Sequence, residues 1–179
     1  MATEPPTRTR TLLLLRHGHA HSDDGSPDRQ RHIDKRGRRE SKAAGVAARR
    51  WVPDLALVSE TVRTRETFDQ FCEGLGQVVD VRYMEELYRS TVSMLRRQVA
   101  TVPSAEISTV LLVGHDPTIS ELSEELLESG TSAVDAQRLT DDGVRTGMLV
   151  VFTWTGGWDP AAAEGIRLES VSWAGDDPS

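Results

Sequence analysis

The stretch TLLLLRHG, residues 11–18, places four consecutive leucines directly before an arginine and a histidine. A short, continuous apolar run of this kind is typical of a strand that is buried on both faces, as in a parallel sheet covered by helices. Two later stretches, LALV (55–58) and TVLLV (109–113), have the same form. We therefore expect these three segments to be strands of one buried sheet.

Segments with helical periodicity separate the apolar runs. Asp34 and Asp116 are each expected to cap the helix that follows them. Helices are predicted at 34–51, from 61, over 92–102 and from 117. Further strands are predicted at 77–83, 148–154 and 166–173. This alternation predicts an α/β fold, a three-layer sandwich with a mainly parallel central sheet flanked by helices.

The composition indicates one globular domain. The chain has 179 residues, 37% hydrophobic and 27% charged, and we expect a flexible tail at 1–10 and a single domain at 11–175. The net charge of −7 argues against binding to nucleic acid or to an anionic membrane. The single cysteine, Cys72, excludes an intrachain disulfide and a cysteine-rich zinc site. Because the first apolar run is too short for a signal peptide or a membrane span, we expect a cytoplasmic protein. The sequence does not indicate an oligomeric state.

Reactive side chains follow the three buried strands. Arg16 and His17 come directly after the first strand, Arg63 begins the helix after the second, and His115 follows the third. In such sheets the ligand lies beyond the carboxyl ends of the strands, so these side chains converge on one edge. Arginine binds phosphate oxygens in a bidentate manner, and a neutral imidazole can attack phosphorus. The residues therefore predict a site for phosphoryl transfer.

Three motifs carry a family resemblance. LLRHG (14–18), LVSETVRTRET (57–67) and LLVGHDPTI (111–119) resemble, in order and spacing, the histidine phosphatase superfamily, the phosphoglycerate-mutase-like phosphatases. The short spacing is most similar to the SixA-type phosphohistidine phosphatase branch. The resemblance covers Thr11 to Trp173. It implies a cofactor-independent phosphatase that needs no metal and releases inorganic phosphate. The implied substrate is phosphohistidine on a protein or, as the alternative, a small phosphoester such as a sugar or nucleotide phosphate.

The resemblance also implies a role for each site residue. His17 would be the phosphorylated nucleophile, Arg16 and Arg63 would hold the phosphate, and His115 would stabilise the transition state. Glu86, in YMEELY (83–88), falls where the family often has a proton donor for the leaving group. The other interpretation of Glu86 is a solvated carboxylate at a strand end. A phosphohistidine substrate needs less help from such a donor, because its imidazole leaves more easily than an alkoxide.

The motifs depart from the family pattern at three positions. Glu60 stands where proline is common, Glu66 where glutamine is frequent, and Asp34 where threonine is usual. Asp34 still supplies an N-cap oxygen, so the helix start is preserved. Glu60 places a negative charge near the expected pocket, which affects substrate preference more than the reaction.

The alternating histidines in HAHSDDG (19–25) favour a rival, metal-dependent interpretation. This segment is similar to the His-x-His opening of PHP-type phosphoesterases. Such sites need further histidine or carboxylate ligands from later strands, and beyond residue 32 the only histidine is His115. The chain is also short for the barrel that many of these enzymes use. We therefore expect His17 to be the nucleophile, with His19 at the pocket rim and His21 in a loop with Asp23 and Asp24.

Two further possibilities concern binding rather than chemistry. A non-catalytic module that binds phosphoproteins would fit the same fold, but the presence of all four reactive residues argues against it. A basic run is interpreted as a solvated face, or as a surface that attracts an acidic phosphoprotein. Its members are Arg29, Arg31, Lys35, Arg36, Arg38 and Arg39.

Overall fold

A computed structural model describes residues 8–21, 25–103, 105–132, 136–137, 139 and 143–176. The strands found there are β1 (Thr9–Arg16), β2 (Leu55–Ser59), β3 (Asp80–Met84), β4 (Thr109–Gly114), β5 (Thr131–Ser132), β6 (Leu149–Thr155) and β7 (Glu164–Ser172). The α-helices are α1 (Lys35–Ala47), α2 (Val62–Leu75), α3 (Val92–Ala100) and α4 (Thr118–Glu128). No helix in the described ranges is long and apolar enough to cross a membrane.

The strands form one mixed sheet in the order β3-β2-β4-β1-β6-β7-β5. The half that carries the predicted site is parallel, because β1 pairs with β4, β4 with β2, and β2 with β3. β6 runs antiparallel to both β1 and β7, and β5 is parallel to β7. The predicted fold class, an α/β sandwich with a mainly parallel sheet, is confirmed.

The four leucines of β1 show why its sequence is continuously apolar. Leu12 and Leu14 pack into the core under α3 and α4, whereas Leu13 and Leu15 pack on the other face with residues of α1 and α2. All four side chains are fully buried. Each such burial stabilises the fold by about 1.5–3 kcal/mol. Helices on both faces therefore cover β1, and its end is held rigidly where the polar residues begin.

Helices α1 and α2 touch through their backbones at two glycines. A Cβ atom added at Gly45 would lie 2.0 Å from the Phe71 carbonyl oxygen, and one added at Gly74 would lie 1.9 Å from the Lys42 carbonyl oxygen. No side chain fits in either space, although glycine weakens a helix interior by about 1 kcal/mol relative to alanine. The close contact fixes the relative position of α1 and α2, whose N-termini border the site.

The structure differs from the sequence-based expectations at the N-terminus. β1 begins at Thr9, so the last part of the predicted tail 1–10 pairs with β6 instead of being loose. Arg10 is 4% exposed because its guanidinium donates to the carbonyl oxygens of Ile107 and Gly156 and lies over the ring of Trp158. These partners allow a charged residue inside a strand, which the apolar pattern alone did not predict.

The structure also differs from the sequence-based expectations at α4 and β5. Asp116 does not cap α4, since Pro117 occupies the N-cap position and no side chain caps the helix. The Asp116 carboxylate instead accepts a hydrogen bond from Ser120 Oγ at 2.5 Å. Strand β5 was not predicted, because two exposed residues are too few to show any periodicity.

Candidate active site

The carboxyl ends of three neighbouring strands bring the reactive side chains together. In the β1–β4 pairing Arg16 lies opposite Gly114, and the backbone N–H of His17 donates to the Gly114 carbonyl oxygen at 3.1 Å. This register places His115 beside His17, with their ring centroids 5.3 Å apart. Arg63, in the first turn of α2, joins them from the end of β2. The structure thus gathers Arg16, His17, Arg63 and His115, as the sequence predicted.

A hydrogen bond determines which nitrogen of His17 is free. The Nδ1 atom lies 2.9 Å from the Gly18 carbonyl oxygen. Because a carbonyl oxygen only accepts, Nδ1 carries the proton and Nε2 keeps its lone pair. Burial, together with the charges of His115, Arg63 and Arg16, lowers the pKa of His17 to about 3, although the bond to Gly18 opposes the shift. The ring is therefore a neutral imidazole at neutral pH, the form that can attack phosphorus.

His115 is held by a serine and an arginine. Its Nε2 atom lies 2.8 Å from Ser59 Oγ, and its Nδ1 atom lies 3.2 Å from Arg63 Nη2. A guanidinium only donates, so Nδ1 accepts and Nε2–H donates to the serine. Burial and then the Arg63 charge lower the pKa of His115 to about 4, against the opposing effect of Asp28. A phosphoryl dianion beside Nδ1 would favour the protonated ring, which could then donate to the phosphoryl oxygens.

The two arginines each have a buried Nε donor that is available to a ligand. Arg16 Nη1 donates to the Val144 carbonyl oxygen at 2.9 Å and lies 3.4 Å from Asp116 Oδ2. Arg63, 6% exposed, donates to both the backbone and the carboxylate of Asp28. Among the described residues, Arg16 Nε and Arg63 Nε are buried with no hydrogen-bond partner. A buried donor without an acceptor costs about 1–3 kcal/mol, so the pair is suited to the oxygens of a bound anion.

Local capping positions the helix that carries Arg63. Thr61 is the N-cap of α2, and its hydroxyl and that of Thr64 satisfy each other's backbone N–H groups. One turn later, Thr67 Oγ1 accepts from the backbone N–H of Gly18, which ties α2 to the loop after β1. These bonds keep the Arg63 guanidinium directed at the end of the sheet.

A cavity of about 640 Å³ opens beside His115 and Arg63. Three of its lining residues, Asp28, Tyr88 and Arg89, were missed by the sequence reasoning. Asp28 begins a 3-10 helix of three residues, Asp28–Gln30, which is too short for any periodicity to mark it. Tyr88 Oη donates to Asp28 Oδ2 at 2.9 Å, and its ring meets the His115 ring edge-on at 5.6 Å. The described wall of the cavity therefore combines the carboxylates of Asp28, Asp116 and Glu121 with Arg63, Arg89 and His115.

Comparisons with known proteins agree with this geometry. Residues 12–88 match the model of the histidine phosphatase superfamily (branch 1). A structure from Nakamurella multipartitia, a proposed SixA phosphohistidine phosphatase, is 32% identical, with 94% of this chain and 98% of that chain covered and a TM-score of 0.75. This chain belongs to the histidine phosphatase superfamily. Membership supports phosphate hydrolysis as the class of reaction.

Two other relatives of this histidine phosphatase are similar over most of their length. An uncharacterised protein of Mycobacterium leprae (strain TN) is 32% identical over 86% of this chain and 96% of its own. A structure from Agrobacterium tumefaciens, also a proposed SixA phosphohistidine phosphatase, is 26% identical, with a TM-score of 0.71 and 93% and 98% of the two chains covered. The histidine phosphatase fold therefore extends over nearly the whole chain.

Glu86 is not brought to the four-residue cluster. It is exposed on a 3-10 helix, Glu85–Leu87, that follows β3. Within the described part of this histidine phosphatase, no hydrogen bond or ion pair joins Glu86 to Arg16, His17, Arg63 or His115. Its role as proton donor remains a prediction.

The alternating histidines have different surroundings. His19 Nδ1 lies 2.6 Å from Asp34 Oδ2. The other carboxylate oxygen of Asp34 accepts the hydrogen bond that caps α1. His21 is exposed. Asp23 and Asp24 lie outside the described residues. In the ranges that the structure covers, no group of three or more His, Cys, Asp or Glu side chains has the arrangement of a metal site.

The departures from the family pattern have partners of their own. Glu60 pairs with Arg65 at 2.7 Å on the surface. Glu66 accepts from the His32 ring at 2.8 Å and from the backbone N–H of Ile33 at 2.9 Å, and so ties the loop before α1 to α2. Much of the basic run is ion-paired. The pairs are Arg29 with Glu85, Arg31 with Asp28, Arg36 with Glu40, and Arg38 with Glu66.

Proposed function

We propose that this histidine phosphatase removes phosphate from phosphohistidine on a protein, through a phosphorylated His17 and without a cofactor. The observation that carries the proposal is the free Nε2 atom of His17, set among Arg16, Arg63 and His115. A neutral imidazole nucleophile between two guanidinium groups is suited to attack on a phosphoryl group. We assign the four residues the roles that the family resemblance implies.

The reaction has two steps. In the first, His17 Nε2 attacks phosphorus, the bond from phosphorus to the leaving nitrogen breaks, and the leaving imidazole takes up a proton. Arg16 and Arg63 hold the phosphoryl oxygens, and His115, protonated beside the dianion, donates to them. In the second step a water oxygen attacks phosphorus, the bond to Nε2 breaks, and inorganic phosphate leaves with His17 restored.

Two observations support a phosphohistidine substrate. The two solved structures at 32% and 26% identity are proposed SixA phosphohistidine phosphatases. The chain also has few residues beyond the sandwich with which to enclose a small molecule, which suits a phosphate borne on a protein. We further propose that the reaction takes place in the cytoplasm, in line with the single free thiol of Cys72.

A small phosphoester is the second candidate substrate. The cavity of about 640 Å³ beside His115 has the volume that small-molecule sites commonly have, about 300–1,000 Å³. A sugar or nucleotide phosphate could place its phosphate at the arginines and its remaining atoms in this space.

A substrate panel separates the two candidates. The rates on a protein carrying phosphohistidine, on sugar phosphates and on p-nitrophenyl phosphate are compared for wild type, His17→Ala and His21→Ala. We expect the highest kcat/KM on the phosphohistidine protein, loss of all activity in His17→Ala, and wild-type rates in His21→Ala and in the presence of EDTA. A preference of several orders of magnitude for a sugar phosphate would overturn the substrate assignment, and turnover by His17→Ala would overturn the nucleophile.

A further inference from the structure

Asp28 occupies a position that anion binding alone does not explain. Its Oδ2 atom accepts from Arg63 Nη2 and from Tyr88 Oη, both at 2.9 Å, and its Oδ1 atom lies 3.4 Å from Arg31 Nη1. Its backbone carbonyl accepts a second bond from Arg63. The same carboxylate lines the cavity together with His115. Two side chains, Arg63 and Tyr88, thus hold one carboxylate oxygen beside the Arg63 guanidinium at the wall of the cavity.

A carboxylate in this place works against phosphate binding. It repels a phosphoryl dianion and competes for the Arg63 guanidinium. Partial burial would raise the pKa of Asp28, but the bonds from Arg63, Tyr88 and Arg31 and the charge of Arg63 outweigh it and lower the pKa to about 2. Phosphoryl oxygens bound at the free Arg63 Nε share the guanidinium charge with Asp28 and place an anion beside its carboxylate. Both changes favour its protonated form, so substrate binding itself prepares Asp28 to carry a proton.

We propose that Asp28 is the catalytic acid–base residue of this site, an inference that rests on the proposed phospho-His17 intermediate. In the first step the Asp28 carboxyl gives its proton to the leaving atom as the bond from that atom to phosphorus breaks and the Nε2–phosphorus bond forms. In the second step the carboxylate takes a proton from the attacking water as the oxygen–phosphorus bond forms and the bond to Nε2 breaks. The proton that Asp28 loses in one step returns in the other. The net reaction consumes one water.

Tyr88 is the positioning residue for this carboxylate. Its hydroxyl donates to the same oxygen as Arg63, so it still holds Asp28 after the phosphate has bound Arg63. The Tyr88 ring is itself held by the His115 ring at 5.6 Å and by the Arg29 and Arg89 guanidinium groups at 4.9 and 5.3 Å. Glu86, two residues earlier, is exposed and has none of these contacts in the described structure.

The test compares Asp28→Asn with Glu86→Gln, the rival candidate for the proton donor, on two aryl phosphates of similar size. p-Nitrophenol leaves readily as an anion, whereas phenol needs a proton. We expect Asp28→Asn to lower kcat/KM on phenyl phosphate about 10²–10⁴-fold and to change kcat/KM on p-nitrophenyl phosphate only slightly. Glu86→Gln should preserve the wild-type ratio between the substrates. An equal loss on both substrates in Asp28→Asn, or a selective loss in Glu86→Gln, would overturn the proposal.

The second step has its own measurement. With p-nitrophenyl phosphate, Asp28→Asn should release one burst of p-nitrophenol per enzyme and accumulate phosphoenzyme, because the water lacks its base. Steady release without a burst in Asp28→Asn, alongside a labelled intermediate in wild type, would overturn the role of Asp28 and leave the His17 assignment intact. If wild-type enzyme never acquires a phosphoryl label, the proposed function itself fails, and the acid–base role fails with it.

Tyr88→Phe tests the positioning role through the ratio of kcat/KM on the two aryl phosphates, which a purely structural role would not change. We expect the same selective loss on phenyl phosphate, smaller and about 10-fold, because the carboxylate stays but one of its donors is removed. An unchanged ratio between the two aryl phosphates in Tyr88→Phe would contradict the positioning role.

Discussion

His17 Nδ1 lies 2.9 Å from the Gly18 carbonyl oxygen, so the lone pair of the ring is on Nε2. Gly18 is fixed in turn by its backbone bond to Thr67 Oγ1 and by close contact with Gly37, whose carbonyl oxygen would lie 2.6 Å from a Cβ atom at position 18. The tautomer of the proposed nucleophile is therefore set by backbone geometry, and no acidic side chain is needed to select it.

The first prediction follows from this tautomer. Phosphoenzyme trapped by acid-free quenching after reaction with p-nitrophenyl phosphate should carry its label on Nε2 of His17, because Nδ1 is protonated and engaged. ³¹P NMR of the trapped protein distinguishes the two ring positions. A label on Nδ1, or on His115, would contradict the geometry.

The second prediction concerns Arg63. Its guanidinium presents several fixed donors, including the buried Nε atom, and a lysine presents only a point charge. We expect Arg63→Lys to lower kcat/KM on p-nitrophenyl phosphate by about 10²–10³ and to weaken inhibition by inorganic phosphate. The control is Arg65→Lys, two positions along the same helix and paired with Glu60 on the surface, which should remain close to wild type. Equal effects of the two substitutions would contradict the assignment.

Ser59 provides the third prediction. It is fully buried and accepts the Nε2–H proton of His115 at 2.8 Å, so it selects the tautomer in which Nδ1 faces Arg63. Ser59→Ala should lower kcat about 10-fold, the effect of losing about one hydrogen bond, and should raise the share of the other His115 tautomer in ¹⁵N NMR spectra. Ser123→Ala, which removes another buried hydroxyl that bonds within α4, should leave both measurements unchanged.

The fourth prediction is a pH dependence of stability. The pKa values of His17 and His115 are lowered to about 3 and about 4 in the folded protein, mainly by burial, from 6.5 in the unfolded chain. Between pH 6.5 and pH 4 the unfolded state therefore binds more protons than the folded state, and stability falls as the pH falls. Each histidine contributes up to about 1.4 kcal/mol per pH unit within this window. Urea unfolding at pH 6.5 and pH 4.5 should show a smaller loss for His17→Asn than for wild type; equal losses would contradict the prediction.

The fifth prediction concerns the contact between α1 and α2. Replacing glycine by alanine in a helix interior ordinarily stabilises a protein by about 1 kcal/mol. Gly74→Ala should instead destabilise it by about 1–3 kcal/mol, because the new Cβ atom would lie 1.9 Å from the Lys42 carbonyl oxygen. Gly157→Ala, where no atom lies within 4 Å of the added carbon, should leave the free energy of unfolding nearly unchanged. Chemical denaturation of both variants checks the sign, and stabilisation by Gly74→Ala would show that the helices move apart.

The sequence predicted the elements whose signals are local. The leucine run of β1 is continuous because both faces of the sheet are covered. Asp34 caps α1 as predicted, and α2 begins close to the predicted residue 61. The exceptions have physical reasons. Arg10 can lie buried in β1 because carbonyl oxygens that are distant in sequence accept hydrogen bonds from its guanidinium. Asp116 contacts Ser120 and Arg16 instead of capping α4.

By itself, the sequence determined the α/β sandwich and the four residues at its strand ends. The reason is that the carboxyl ends of parallel strands lie at the same edge of the sheet, so residues that follow the apolar runs come together there. Only the tertiary structure revealed the environment of those residues. Asp28 reaches Arg63 across 35 positions and Tyr88 across 60, and neither contact follows from any periodicity. The tautomers of His17 and His115 likewise depend on Gly18 and Ser59 through directional hydrogen bonds. Such contacts arise where separate segments meet, so the chemistry of this histidine phosphatase is set by packing as much as by its motifs.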